Sequence, residues 1–300
     1  MQMGGTSVSD ATPAEEVRRK ILDLPDDWWQ TVSASQALMG WFKGHVVGLL
    51  VAGSTNSQFQ YSFYTGFLLA HMQQVLWLTA GHVVEELQAI LSSASFRVTQ
   101  FCWLDNYDDP AAPVVPVHRR DMLMQSWRSS RLDFGAAVPS LLDTGNLLHN
   151  EKVHLMEETI WRNLKQASPE GYYAIGYPRP WTTHNEKPAQ HSKVLHSLEA
   201  NLACLPLREL PAPVEVVDDP SWSDPEAFYG EILPYTDLPA FEVDDIKGMS
   251  GGPVLSVERT TEGRVAYRLV GIVHSWFRPK GLIRAEPIHK IAEALNAWLA

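Results

Sequence analysis

From about residue 45 the chain alternates apolar and polar positions with the two-residue period of half-buried strands. Val46 to Ala52 is one β-rich run, Tyr61 to Ala70 a second with Gly66 inside it, and Gln74 to Thr79 a third. Ser54 to Gln60 and His71-Met72-Gln73 read as the turns between them. A helical turn follows over Val83 to Leu91. Phe96 to Trp103 and Val114 to His118 are further strands, parted by the acidic turn Asp105-Asn106-Tyr107-Asp108-Asp109-Pro110. Leu132-Asp133-Phe134-Gly135-Ala136-Ala137-Val138 is an apolar run broken by one carboxylate. Residues 146–168 are less strand-like and read as a connection, with Glu151 to Leu164 partly helical. The strand pattern restarts at Tyr172-Tyr173-Ala174-Ile175-Gly176-Tyr177-Pro178 and continues over Ser192 to Leu207. Residues 208–240 are acidic and hold six prolines, which reads as a long surface loop. Val265 to Trp276 forms the next strands. Pro287 to Leu299 closes the chain as an amphipathic helix with Ile288, Ile291, Leu295 and Trp298 inward. Short strands at this spacing predict an all-β barrel or sandwich.

The first 40 residues differ: a polar start, a short helix over Pro13 to Leu22, then Asp26-Asp27-Trp28-Trp29. Paired tryptophans are seldom left in water, so this leader is expected to pack on the body. At 300 residues and 45% apolar content, the chain can bury one large or two modest cores. The formal charge of -11 argues against a nucleic-acid partner. No run reaches about 18 apolar residues, so no membrane partner is expected. No basic region precedes an apolar core at the N-terminus, and the expected location is cytoplasmic. Cys102 and Cys204 form no C-x-x-C pair, and His184, His191 and His196 lack the H-E-x-x-H spacing, so neither a metal nor another cofactor is expected.

The stretch around which the rest is arranged is Lys247-Gly248-Met249-Ser250-Gly251-Gly252-Pro253. Three glycines around one hydroxyl let backbone N–H groups be aimed beside the serine oxygen, as acyl transfer requires. The letters also satisfy G-x-S-x-G, the nucleophile elbow of α/β-hydrolases. That fold needs an acid and then a histidine after the serine. Beyond Ser250 there is no aspartate, only Glu258, Glu262, Glu286 and Glu293 with His274 and His289. An order of histidine, aspartate, serine fits better. His82 follows a buried strand in Thr79-Ala80-Gly81-His82. Asp133, inside Leu132-Asp133-Phe134, needs donors or an opposite charge to be tolerated there. Asp121 and the Asp105, Asp108, Asp109 group are rivals in more polar surroundings.

These three segments, together with Ile175-Gly176-Tyr177-Pro178 and Val270-Gly271-Ile272-Val273-His274-Ser275-Trp276, resemble the motifs of the trypsin/chymotrypsin-like serine proteases, in particular bacterial, disulfide-free members. The resemblance runs from about residue 42 to 299. It implies two six-stranded antiparallel β-barrels with the site between them: residues 41–145, then 169–284, after a leader at 1–40 and before a C-terminal helix at 285–300. It also implies a serine endopeptidase acting on protein or peptide substrates. Ser250 would be the nucleophile, His82 the general base, Asp133 its orienting acid, and the N–H groups of Gly248 and Ser250 the oxyanion hole. Met249 stands where many family members carry an aspartate that receives a newly cut N-terminus. Restraint is therefore expected from the leader or from the acidic loop until a regulatory protein partner or a substrate binds. Asp244, His274 and Trp276 are the candidates for substrate selection. Two other readings stay open, a catalytically silent binding module and a serine esterase on the same fold.

Overall fold

The computed structural model describes residues 20–21, 23–56, 58–104, 115–118, 122–129, 132–149, 153–162, 169–188, 194–213, 224–238 and 245–300, the backbone alone at 183–188 and 194–199. The first half carries β1 (Gly48–Thr55), β2 (Gln58–Tyr64), β3 (Phe67–His71), β4 (Gln74–Thr79), β5 (Arg97–Leu104), β6 (Val115–Pro116), β7 (Leu123–Arg128) and β8 (Asp133–Val138). They form two four-stranded sheets, in the orders β2-β1-β5-β6 and β3-β4-β8-β7. Between the sheets lies a core that includes Leu49, Val51, Leu68, Trp77, Phe101, Trp103 and Ala137.

The second half carries β9 (Gly171–Gly176), β10 (Thr182–Pro188), β11 (Val194–Ala200), β12 (Ala203–Leu210), β13 (Phe228–Ile232), β14 (Pro253–Arg259), β15 (Val265–Phe277) and β16 (Leu282–Pro287). Six of these close a barrel in the order β12-β13-β16-β15-β14-β9, while β10 and β11 pair as a separate hairpin. The expectation of two six-stranded barrels is therefore wrong: one barrel closes, and the first half is two open sheets.

The reason lies at two places. The run from Tyr61 to Ala70 is not one strand but two, divided at Thr65-Gly66 and sent to different sheets. The polar groups of Thr65 are spent elsewhere: its carbonyl accepts from Thr79 Oγ1 (2.7 Å) and its hydroxyl donates to the Gly248 carbonyl (2.6 Å). Closure also needs a ladder at every edge, and among the described residues β6 contributes only the pairs Cys102↔Pro116 and Trp103↔Val115. Pro116 has no N–H to extend that ladder.

The 208–240 segment is corrected too. It is not purely a surface excursion, because it contains the barrel strand β13. Its acidic residues and prolines masked a strand whose Phe228 and Tyr229 are buried.

Residues 28–42 pack as expected of paired tryptophans. Trp28 and Trp29 form a 3-10 turn, and a helix follows over Val32–Phe42, capped by the Thr31 hydroxyl accepting from Ala34 N–H (3.1 Å). The pattern had placed a helix at Pro13 to Leu22 instead, nearly all of which lies outside the described residues. This segment docks on the second half: Trp28 Nε1 donates to Glu170 (2.6 Å), and the Ser35 hydroxyl donates to the Cys204 carbonyl (3.1 Å). The closing helix, Ile288–Leu299, buries Ile288, Ile291 and Leu295 and sets Trp298 against Trp127. Cys102 and Cys204 are both free and buried, in different sheets.

Candidate functional site

The Ser250 turn is held from both ends. Gly248 has φ +100°, and a β-carbon there would lie 2.6 Å from the Tyr177 carbonyl oxygen. Gly251 has φ +92°, and a methyl group would overlap Thr79 Oγ1 and the Thr65 carbonyl. Only glycine meets both demands. Arg179 N–H donates to the Lys247 carbonyl (2.5 Å), and Gly252 N–H to the Met249 carbonyl (2.9 Å). A trans peptide points its N–H opposite its C=O, so these two bonds turn the N–H of Gly248 and of Ser250 the other way. Neither N–H has a backbone acceptor among the described residues, whereas those of Met249, Gly251 and Gly252 each do. Met249 itself is buried in the barrel core with Ile246 and Val254.

His82 lies in the first turn of the helix Gly81–Ser92, which leaves β4 after Ala80. β8 runs antiparallel to β4, with Thr79 opposite Gly135, and so brings Asp133 beside that turn. A β-carbon on Gly81 would lie 2.6 Å from Asp133 Oδ1, so the missing side chain is what admits the carboxylate. The carboxylate then takes two bonds from one residue: His82 backbone N–H to Oδ1 (2.8 Å) and ring Nδ1–H to Oδ2 (2.7 Å). Arg128 Nε stands 3.6 Å from Oδ1. Burial alone would push the Asp133 carboxyl up. The His82 ring bond and the nearby His274 outweigh it and hold the group below the usual carboxylate range. With Nδ1 donating, Nε2 of His82 is left as the acceptor.

His82 and Ser250 line the same cleft of about 910 Å³, with Gly248, Lys247, Arg179 and a row of aromatic residues from β2. They are not hydrogen-bonded to each other among the described contacts; the Ser250 hydroxyl instead donates weakly to the His274 carbonyl (3.5 Å). The structure thus joins His82 to Asp133 and brings Ser250 to the same cleft, without closing a three-membered chain among the described contacts.

A His–Asp pair alone is not diagnostic. His118 offers its backbone N–H (3.2 Å) and Nδ1 (2.5 Å) to Asp143 Oδ1, and it lies outside the cleft. The serine lining the same cleft distinguishes His82.

Asp244 lies outside the described residues, as do Asp105, Asp108, Asp109, Asp121 and the side chains of His184, His191 and His196. His274 and Trp276 do not line the cleft. Trp276 packs against the barrel core, and His274 stands behind Asp133, with Nε2 3.7 Å from Oδ2. Thr65 was missed from the sequence because a threonine inside a strand-like run carries no mark of a long-range clamp. Glu286 was missed although it breaks an apolar strand just as Asp133 does.

Among the described residues, no three His, Cys, Asp or Glu side chains cluster as metal ligands, and no helix is long and apolar enough to cross a membrane. Residues 28–42 do not line the cleft.

No family model and no curated protein matches the chain. Among solved structures, the chain is similar to the protease Anisep from Arthrobacter nicotinovorans, at 14% identity and a TM-score of 0.42 over 81% of this chain and 90% of that one. It is also similar to the thermostable serine protease AL20 from an extremophilic microorganism (15%, TM-score 0.43, 82% and 91% covered). A third is a Glu endopeptidase in complex with MPD (13%, TM-score 0.41, 89% and 93% covered). At that depth of likeness, only this chain's own residues can carry a functional reading.

Proposed function

We propose that the chain is a serine hydrolase that cleaves peptide bonds in protein or peptide substrates through an acyl-enzyme intermediate. The observation that carries the reading is the two-point grip of a buried carboxylate on His82, on the wall of the cleft that also holds Ser250. Ser250 Oγ attacks the carbonyl carbon, and His82 Nε2 takes the hydroxyl proton and passes it to the leaving amine. Asp133 fixes the His82 tautomer and stabilises the imidazolium. The N–H groups of Gly248 and Ser250, without a backbone acceptor among the described residues, receive the developing oxyanion. Water then attacks the acyl-serine, with His82 again as base.

The Ser250 hydroxyl facing His274 rather than His82 keeps the silent binding module in play. Catalytic hydrogen bonds are commonly loose before substrate binds, and one rotation about χ1 reorients Oγ. A fluorophosphonate probe separates the two readings. Stoichiometric labelling of wild type, absent in Ser250→Ala, with peptide hydrolysis lost in the same variant, is the expected result. A folded wild type that neither labels nor hydrolyses peptides or esters overturns it. Hydrolysis confined to esters moves the reading to the esterase.

A further inference from the structure

Behind Asp133 lies a buried row of charged and polar side chains that the mechanism above does not use. His274 Nε2 stands 3.7 Å from Asp133 Oδ2 and 3.8 Å from Glu286 Oε1. Arg284 Nη2 donates to Glu286 Oε1 at 3.2 Å and lies 3.8 Å from Asp224, which Lys290 of the closing helix meets at 2.9 Å. Arg284 and Glu286 are both fully buried. Several of their atoms, including Glu286 Oε2, Arg284 Nε and Nη1, and His274 Nδ1, are buried without a partner among the described residues. A buried ion pair rarely adds stability over apolar residues of the same shape, so packing alone is a weak reason for this row.

The placement of His274 is specific. β15 and β16 lose register between Val273 and Ser275, and the irregularity falls on His274. A bulge re-aims a side chain out of the sheet's alternation. Here it puts the ring between β8 and β16 while the main-chain carbonyl of the same residue takes the Ser250 hydroxyl. One residue therefore touches two of the three groups proposed for the reaction.

On the proposed serine-hydrolase reading, we infer that His274, oriented by Glu286, is a positioning residue that holds Asp133 against His82 and seats the Ser250 hydroxyl. Burial pushes the His274 ring down to about 4, so it is neutral at pH 7 and carries one ring proton. Both carboxylates lie on the Nε2 side, at 3.7 and 3.8 Å, which favours the tautomer with its proton on Nε2. Burial pushes Glu286 up to about 7, against the opposing pull of Arg284 and Lys290 and with the support of Asp224 and Asp133. An ionised Glu286 adds negative charge behind Asp133, which favours an imidazolium at His82. Ionisation of Glu286 then raises activity on the acid side, beyond what the general base itself requires.

The test uses the full chain and a fluorogenic peptide. Expected for His274→Leu is a fall of about tenfold in kcat with KM unchanged, the size of one weak charge-assisted contact. His274→Gln, which keeps an N–H at that reach, retains most of kcat. In wild type the profile of log kcat/KM against pH carries a several-fold step on its acid side where Glu286 ionises. In Glu286→Gln that step is absent and the plateau is several-fold lower. Wild-type kcat in a folded His274→Leu, or an unchanged profile in Glu286→Gln, overturns the inference. A loss that is equal at every pH and not rescued by glutamine also overturns it, since that marks packing alone. Fluorophosphonate labelling of each variant, with Ser250→Ala as the blank, reports separately whether the serine reading stands.

Discussion

Thr65→Val is the sharpest probe of how the serine turn is held. The two side chains have nearly the same shape, so the substitution deletes a hydroxyl and little else. That hydroxyl donates to the Gly248 carbonyl at 2.6 Å and accepts from the Tyr177 N–H at 3.1 Å, and Thr65 is fully buried. Leaving a buried polar group unpaired costs about 1–3 kcal/mol. Tyr177 is 2% exposed, so its N–H bears that cost nearly in full. Gly248 is only half-buried, and water can partly replace the lost donor. The two together come to about 3 kcal/mol. For a chain of this size that lowers Tm by about 5–10 °C.

The functional effect follows from the same geometry. With its carbonyl released, the Gly248–Met249 peptide can rotate about a residue that has no β-carbon to restrain it. The fluorophosphonate labelling rate should fall about 10- to 100-fold, short of the 10²–10³ expected when an oxyanion donor is removed outright. Thr65→Ser, which keeps the hydroxyl, should label within a few-fold of wild type. Differential scanning calorimetry and timed labelling read both quantities. A Thr65→Val protein that melts within 1 °C of wild type (about 0.3 kcal/mol) and labels at its rate would refute the clamp. A lower Tm with labelling unchanged would show that this peptide, which lies between the two donor peptides, does not set the serine turn for reaction, while leaving the structural bond.

Three further outcomes are expected. Asp133→Asn should lower peptide hydrolysis about 10⁴-fold in a protein that still melts cooperatively, because His82 loses the acceptor that fixes its tautomer; a loss under tenfold would refute that role. Gly251→Ala should cost about 3 kcal/mol or more in urea unfolding, since φ +92° and the overlap with Thr79 and Thr65 act together; a midpoint equal to wild type would contradict the geometry. His45 is pushed down to about 4 by burial, against the pull of the His154 carbonyl, with Nδ1 donating to that carbonyl (3.0 Å) and Nε2 accepting from Tyr267 (2.7 Å). The unfolded ring binds its proton near 6.5, so this contribution is whole above 6.5 and lost as pH falls toward 4. The difference in unfolding free energy between wild type and His45→Gln should therefore shrink by about 3 kcal/mol from pH 7 to pH 4. A difference that is flat across that range would show the ring is not held neutral.

Much of this molecule was legible one segment at a time. Alternation of apolar residues located most strands, three glycines marked the Ser250 turn, and the inward face of the closing helix was correct in Ile288, Ile291 and Leu295. Asp133 stood out because a carboxylate in an apolar run must find donors, and it finds them in His82. All of these are properties of residues near one another along the chain.

What the sequence alone did not decide was distance between residues far apart in it. Whether a sheet closes depends on whether its first and last strands meet. That turned on Thr65 bonding to Gly248 across 183 positions and on a two-residue β6. β13 was hidden by its acidic, proline-rich surroundings, and only its pairing with β12 and β16 makes it a barrel strand. Trp28 and Trp29 announced burial but not against which surface. The row from Asp133 through His274 and Glu286 to Arg284 exists only because a bulge in β15 turns one ring toward β8. Periodicity is written locally and survives in any fold; ladders, clamps and buried charge contacts are set by which distant backbones pack together.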